Sequence, residues 1–140
     1  IVTMDSAFSK VIEGCQQAQR STPGETWITA KIRDSYQALH SCGFAHSVEV
    51  WNSADCLIGG LYGVSVAGIF TGESLFYREP NASKLALLSL IDHLAARGVT
   101  WIDIQVMTPH MEALGAHIIP RDEFLDRVDQ ERARGLKLFD

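Results

Sequence analysis

Residues 46–76 read HSVEVWNSADCLIGGLYGVSVAGIFTGESLF, and the period of this stretch decides the fold. From His46 to Trp51 the residues alternate, with Ser47, Glu49 and Trp51 on one face and His46, Val48 and Val50 on the other, which predicts a strand. Asn52 to Asp55 is a turn. Cys56–Val66 and Ile69–Phe76 predict two more strands around a tight Ala67-Gly68 turn, so that three consecutive strands form an antiparallel meander. Glycines at 59, 60, 63 and 72 weaken these strands and mark a bulge or a close approach of backbones.

Outward from the meander the period changes to helical. Residues 5–19 predict an amphipathic helix capped by Asp5 or Ser6, followed by a loop over Arg20–Glu25. Thr29 caps a second helix with Ile32, Tyr36 and Leu39 on one face, ending where Gly43 suits a left-handed position. Downstream, Asn81 caps the helix NASKLALLSLIDHLAARG, closed by Gly98. Thr100–Met107 predicts a strand, Thr108–Leu114 a short helix, His117–Ile119 a short strand and Arg121 onward a last helix. The order ααβββαβαβα is α+β (mixed α/β), with the Asn81 helix crossing over between strands.

The 140 residues are expected to form a single domain, 1–140, with a core that needs no disulfide or metal. Hydrophobic residues are 46% and charged residues 21%, the balance of a globular chain. No apolar run reaches the ~18 residues of a membrane span, so the expectation is a soluble protein with no membrane partner. No signal-peptide pattern is present, and Ile1 is not a start methionine, so a fragment or processed form is expected. The net charge of −5 is spread along the chain, with 5 basic and 8 acidic residues in 1–80 and 7 and 9 in 81–140. This argues against a broad nucleic-acid platform and against DNA binding, because phosphate neutralisation supplies most non-specific affinity.

Cys15, Cys42 and Cys56 are an odd number with no Cys-x-x-Cys pair, and are expected to be buried free thiols in a reducing cytoplasm. Cys15 joins a helical apolar stripe with Phe8, Val11 and Ile12. The five histidines show no metal-ligand spacing, so no metal is expected.

Chemistry is carried by few residues. Glu73 lies in a Gly-Glu-Ser step of the third strand, and Asp103 and Gln105 are two apart in the next, so that their side chains share a face. A carboxylate and a carboxamide aimed together orient and polarise an attacking amine; the alternative is a polar strand face turned to water. Trp27, in a loop, is either a stacking platform for a base or a lid over the core. Leu61, Phe70, Leu87, Leu90, Leu94 and Ile102 either line a pocket or are plain core. Asn81-Ala-Ser-Lys84 combines a cap with a first-turn lysine, as an anion site does, but a cap alone accounts for it.

In order along the chain, Thr26-Trp-Ile-Thr29, Tyr36-Gln-Ala-Leu-His40, His46-Ser-Val-Glu-Val-Trp51, Gly59-Gly-Leu-Tyr-Gly-Val64, Phe70-Thr-Gly-Glu-Ser-Leu-Phe76, Asn81-Ala-Ser-Lys84, Ile102-Asp-Ile-Gln105 and Thr108 before Leu114-Gly-Ala116 resemble the catalytic C-terminal domain of the leucyl/phenylalanyl-tRNA–protein transferases, from about Val2 to Leu125. The resemblance implies an acetyltransferase-like (GNAT) fold, an antiparallel meander with a crossover helix and a mixed sheet. It implies transfer of Leu or Phe, and less well Met, from aminoacyl-tRNA onto proteins beginning with Arg or Lys, which marks them for N-end rule degradation in the cytoplasm. No metal or nucleotide cofactor is implied, since the aminoacyl ester is already activated.

Residue by residue, the resemblance assigns Trp27 to stacking on the terminal adenine of the tRNA 3′ end and Tyr36 and Glu73 to substrate binding. It assigns Leu61, Phe70, Leu87, Leu90, Leu94 and Ile102 to an apolar pocket for the transferred side chain, and Asp103 and Gln105 to catalysis, as the pair that positions the incoming α-amino group. The family's N-terminal domain, with its basic surface for tRNA, has no counterpart in these residues, and the tail beyond Phe139 stops early. Two alternatives remain: an N-acyltransferase of the same fold using acyl-CoA, and a non-catalytic binder of basic N-termini through Glu73 and Asp103. Against the first, no Arg/Gln-x-x-Gly-x-Gly/Ala pyrophosphate loop precedes a helix.

Overall fold

The computed structural model describes residues 1–18 and 26–140; the loop expected over Arg20–Glu25 lies outside them. The elements run β1 (Val2–Met4), α1 (Phe8–Ala18), α2 (Ala30–Ser41), β2 (Ala45–Trp51), β3 (Leu57–Val66), β4 (Ile69–Tyr77), α3 (Ala82–Ala95), α4 (Pro109–Ala113) and α5 (Arg121–Arg134). The meander is present as expected: β2, β3 and β4 pair antiparallel in sequence order, and Ala67 and Gly68 make the β3–β4 turn with φ of 53° and 81°. The unexpected β1 adds a fourth strand beyond β2, pairing Val2 with Val50, Thr3 with Glu49 and Met4 with Val48.

Both faces of the sheet are covered, which is why Ala45–Val50 are buried without a break. Val48, Val50, Leu61 and Phe70 pack with Ala86, Leu87, Leu90 and Leu94 of α3 on one face. Phe8, Val11, Ile12 and Cys15 of α1 pack with Tyr62 and Phe76 on the other. Burying one such side chain is worth about 1.5–3 kcal/mol.

The start of α1 departs from the expected capping. Asp5 adopts φ of 54° and turns away from the helix, its carboxylate accepting from the Ser47 amide at 2.9 Å and meeting His46 Nδ1 at 2.7 Å. The amides of Ser6 and Ala7 instead point at the fully buried carboxylate of Glu49, at 3.3 and 3.4 Å, which also accepts from Thr3 Oγ1 and Ser47 Oγ at 2.6 and 2.5 Å. A strand carboxylate therefore meets the positive end of the helix. Thr29 caps α2 through Ile32 N as expected, whereas Asn81 precedes α3 with φ of 68° and no side-chain cap bond. Cys15 is buried, but Cys42 and Cys56 are exposed, since they lie at the end of α2 and just before β3 rather than in an apolar stripe.

The largest departure follows α3. Residues 100–107 form no regular strand: Asp103 alone makes a parallel bridge to Thr71, donating to Phe70 O at 3.0 Å and accepting from Gly72 N at 2.7 Å. The mixed part of the sheet is thus one bridge. The ladder stops there because Asp103 Oδ1 accepts from Gln105 N at 2.9 Å and Gln105 turns to φ of 63°; a local side-chain bond wins over the strand. Residues 117–119 are likewise irregular, with Ile118 82% exposed, and the observed order is βααβββααα.

Candidate active site

The site is assembled where β4 loses its register. Tyr62 pairs with Ser74 but Gly63 pairs with Gly72, so Glu73 is the extra residue of a bulge. Gly63 makes this possible: a Cβ there would collide with the Thr71 carbonyl and the Phe70 ring. A bulge bends the strand and re-aims its side chain, and Glu73 lines a cavity of about 490 Å³ together with Trp27. Tyr36 hydrogen-bonds Glu73, and its phenol is pushed up to about 12, first by burial and then by the bond to Glu73 and that carboxylate's charge. Tyr36 therefore remains a donor across the working pH range.

Much of the cavity wall is apolar. Leu61 on β3, Phe70 on β4, Leu87 and Leu90 on α3 and Ile102 line it, five of the six residues expected there. Leu94 is the exception: one turn beyond Leu90, it is sealed in the core under the sheet and does not reach the cavity. Trp27 is 45% exposed and forms part of the wall, so it does not act as a lid over the core. Tyr62 also lines the cavity; burial, with Cys15, Tyr36 and Glu73 nearby, raises its phenol, and among the described residues its hydroxyl has no hydrogen-bond partner. The Cys15 thiol beneath is pushed up to about 12 by burial, although a hydrogen bond with Ser74 pulls the other way.

Asp103 and Gln105 do not share a strand face, because the residues between them do not form a strand. Asp103 lines an adjoining cavity of about 530 Å³ and is absent from the first. Gln105 lines both, with its Nε2 donating to Gly72 O at 3.2 Å. The two groups are thus brought to one partition by an Asx-type turn, not by strand alternation.

Sequence reasoning missed Tyr62, Leu75, Thr108 and Met111 as cavity residues. Tyr62 and Leu75 stand beside the bulge, whose glycines were the available signal; Thr108 and Met111 carried none beyond the α4 cap they form, Thr108 Oγ1 accepting from Met111 N at 3.2 Å. Among the described residues no group of three or more His, Cys, Asp or Glu is arranged to hold a metal, and no helix is long and apolar enough to cross a membrane.

A solved structure described as a probable acetyltransferase superposes with a TM-score of 0.64 at 8% identity, over 86% of this chain and 91% of that one, so the fold is acetyltransferase-like. Proteins named leucyl/phenylalanyl-tRNA--protein transferase are far more similar in sequence. The one from Shewanella woodyi is 48% identical over 130 residues, 93% of this chain and 54% of its own length. That from Chromohalobacter salexigens is 50% identical over 129 residues, 92% of this chain and 50% of its own. The chain thus spans about half the length of the relatives it matches. A family model described as leucyl/phenylalanyl-tRNA protein transferase matches residues 1–129. With that match covering most of its length, the chain belongs to the leucyl/phenylalanyl-tRNA protein transferase family.

Proposed function

We propose that residues 1–140 are a single catalytic domain that transfers Leu or Phe, and less well Met, from aminoacyl-tRNA to the N-terminal Arg or Lys of acceptor proteins. The product is a peptide bond, and in the cytoplasm the new N-terminus marks the acceptor for N-end rule degradation. The observation that carries this reading is the cavity of about 490 Å³, apolar at Leu61, Phe70, Leu87, Leu90 and Ile102, with the Glu73 carboxylate on its bulge and Trp27 in its wall.

Each part of the donor has a matching feature. The branched or aromatic side chain takes the apolar walls, which discriminate only modestly between similar residues. The terminal adenine stacks on Trp27. Glu73, held by the Tyr36 phenol, supplies a fixed negative charge beside the transferred residue's α-ammonium. Asp103 holds the acceptor's N-terminus and Gln105, at the partition, orients it toward the ester. The neutral amine attacks the ester carbonyl carbon; the C–N bond forms, the C–O bond to the ribose breaks, and the ribose oxygen leaves with the proton the amine gives up. The ester is already activated, so positioning supplies much of the rate and no cofactor enters. The net charge of −5 suits a cationic acceptor, and the site on this chain needs to grip only the aminoacylated end of the tRNA.

The test supplies Phe-charged tRNA and an Arg-starting peptide to the chain. Transfer is expected, and Asp103→Asn is expected to lower it about 100-fold or more, the scale on which a positioned polar group acts in a transition state. Acetyl-CoA turnover without tRNA, or peptide binding without transfer, overturns the reading.

A further inference from the structure

The two cavities share Leu87, Ile102, Ile104, Gln105, Val106 and Met111, so one wall divides them. Their remaining residues differ in kind. Glu73 and Trp27 belong to the first alone. Asp103 belongs to the second alone, together with Ile91, Trp101, Ile118 and Phe124. Asp103 spends one oxygen on the Gln105 amide and, among the described residues, joins no ion pair. Its charge is therefore available to a cation arriving through the second cavity. Trp101 and Phe124 meet edge to face at 5.9 Å, which fixes α5 against the irregular segment and makes a standing aromatic wall. Beside that wall, Ile118 is 82% exposed and Ile91 41%, apolar surface with no cover among the described residues.

We infer that the second cavity is the subsite for acceptor residues two and three, and that it takes an extended, unfolded N-terminus with an apolar side chain at one of those positions. The inference rests on the proposed transfer reaction. If the α-amino group lies between Asp103 and Gln105, the chain behind it leaves through the cavity that holds Asp103, since the first is filled by the donor. An extended chain advances about 3.3 Å per residue, so the next two side chains fall within a few ångströms of the partition, beside Trp101, Ile91 and Phe124. A folded N-terminus cannot present them there. Arg121 of α5 lies in the same cavity and, among the described residues, joins no ion pair, whereas Arg127 is paired with Glu123 at 2.7 Å, so a second basic residue at these positions meets the like charge of Arg121.

The test measures binding of four peptides to the chain by calorimetry: Arg-Phe-Leu and Arg-Ser-Gly leaders on a common tail, the N-acetylated form of the first, and an Arg-Arg-Leu leader. A Phe-acylated 3′-amino-adenosine serves as a stable donor mimic in parallel. Arg-Phe-Leu is expected to bind about tenfold tighter than Arg-Ser-Gly, with Arg-Arg-Leu weaker than Arg-Phe-Leu. Ile118→Ser, at an exposed site that does not threaten folding, and Phe124→Ala are expected to remove most of that preference. Both are expected to leave binding of the donor mimic and of Arg-Ser-Gly unchanged. Equal affinity for the two leaders overturns the subsite, as does undiminished binding of the acetylated peptide, which marks a general apolar surface. Self-association of the chain that Ile118→Ser abolishes overturns it too, by assigning the face to a second copy. Failure of the donor mimic to bind the unsubstituted chain overturns the transfer reading itself; binding of the mimic without peptide preference overturns the subsite alone.

Discussion

From Ala45 to Val50 every residue is buried and paired in register with β3, while residues 99–119 contribute a single bridge and leave Val106 69% and Ile118 82% exposed. The two regions meet at that bridge, between Thr71 and Asp103, and the candidate site lies along the seam. The difference teaches where this fold keeps its chemistry. A ladder uses up backbone donors and acceptors and closes over its side chains; Glu73 and Gln105, which face the cavities, stand where the ladder fails. Glu73 is the residue skipped by β3, and Gln105 is the left-handed residue two beyond the last bridge.

If the meander is the rigid partner, filling it must be costly. Gly63→Ala puts a methyl group into the Thr71 carbonyl and the Phe70 ring, a backbone obstacle that cannot rotate away. The expected loss is about 3 kcal/mol, read as a lower urea midpoint, and with it the register that produces the Glu73 bulge. A loss below about 1 kcal/mol breaks the comparison, because β4 would then have room to re-register.

A smaller effect tests the end of the sheet where β1 meets β2. Burial raises the Asp5 carboxyl, but the hydrogen bond from His46, the Ser47 amide and the charges of His46 and His40 outweigh it, and the group lies below its ordinary value of 3.8. A carboxyl depressed on folding contributes stability that is present above its unfolded value and is lost as pH falls through the folded one. Asp5→Asn is therefore expected to be less stable than the unsubstituted chain at pH 7 and pH 5, with the gap closing below pH 4. Urea unfolding at several pH values measures it; a gap that widens in acid contradicts the assigned pairing.

The regular part of this contrast was legible in the sequence. Alternation in residues 46–51 and the Ala67-Gly68 turn marked the meander, and the glycines at 63 and 72 announced the bulge without saying which residue it would displace. What periodicity did not disclose was the cost of local alternatives. Residues 100–107 alternate as a strand should, yet Asp103 binds the amide two residues on and ends the pairing. Asp5 reads as a cap but is taken by His46, because the buried Glu49, 42 residues from Ala7, does the capping instead. Site residues shared this division: spacing left the five apolar wall positions open between core and pocket and only the family resemblance pointed to a pocket, whereas the partition that separates Asp103 from Glu73 follows the left-handed turn at Gln105.

That angle can be tested where the expected stability change is smallest. Gln105 at φ of 63° carries the strain of a left-handed side chain, about 1 kcal/mol, which glycine relieves. Gln105→Gly also frees the unfolded chain, at a cost of roughly 0.5–1 kcal/mol, and loses the exposed bond to Gly72 O. These terms nearly cancel, so the variant is expected within about 0.5 kcal/mol of the unsubstituted chain. Gln105→Ala keeps the strain and loses the same bond, so it is expected to be the less stable of the two. Both remove the carboxamide at the partition, and both are expected to lower transfer to an Arg-starting peptide by at least about tenfold. Equal activity loss with unequal stability assigns the function to the carboxamide rather than to the turn. If the glycine variant instead keeps activity, the left-handed turn that aims Asp103 is what matters. A stability loss beyond about 2 kcal/mol for glycine would mean that the seam is as tightly built as the meander, and the contrast between the two regions would fail.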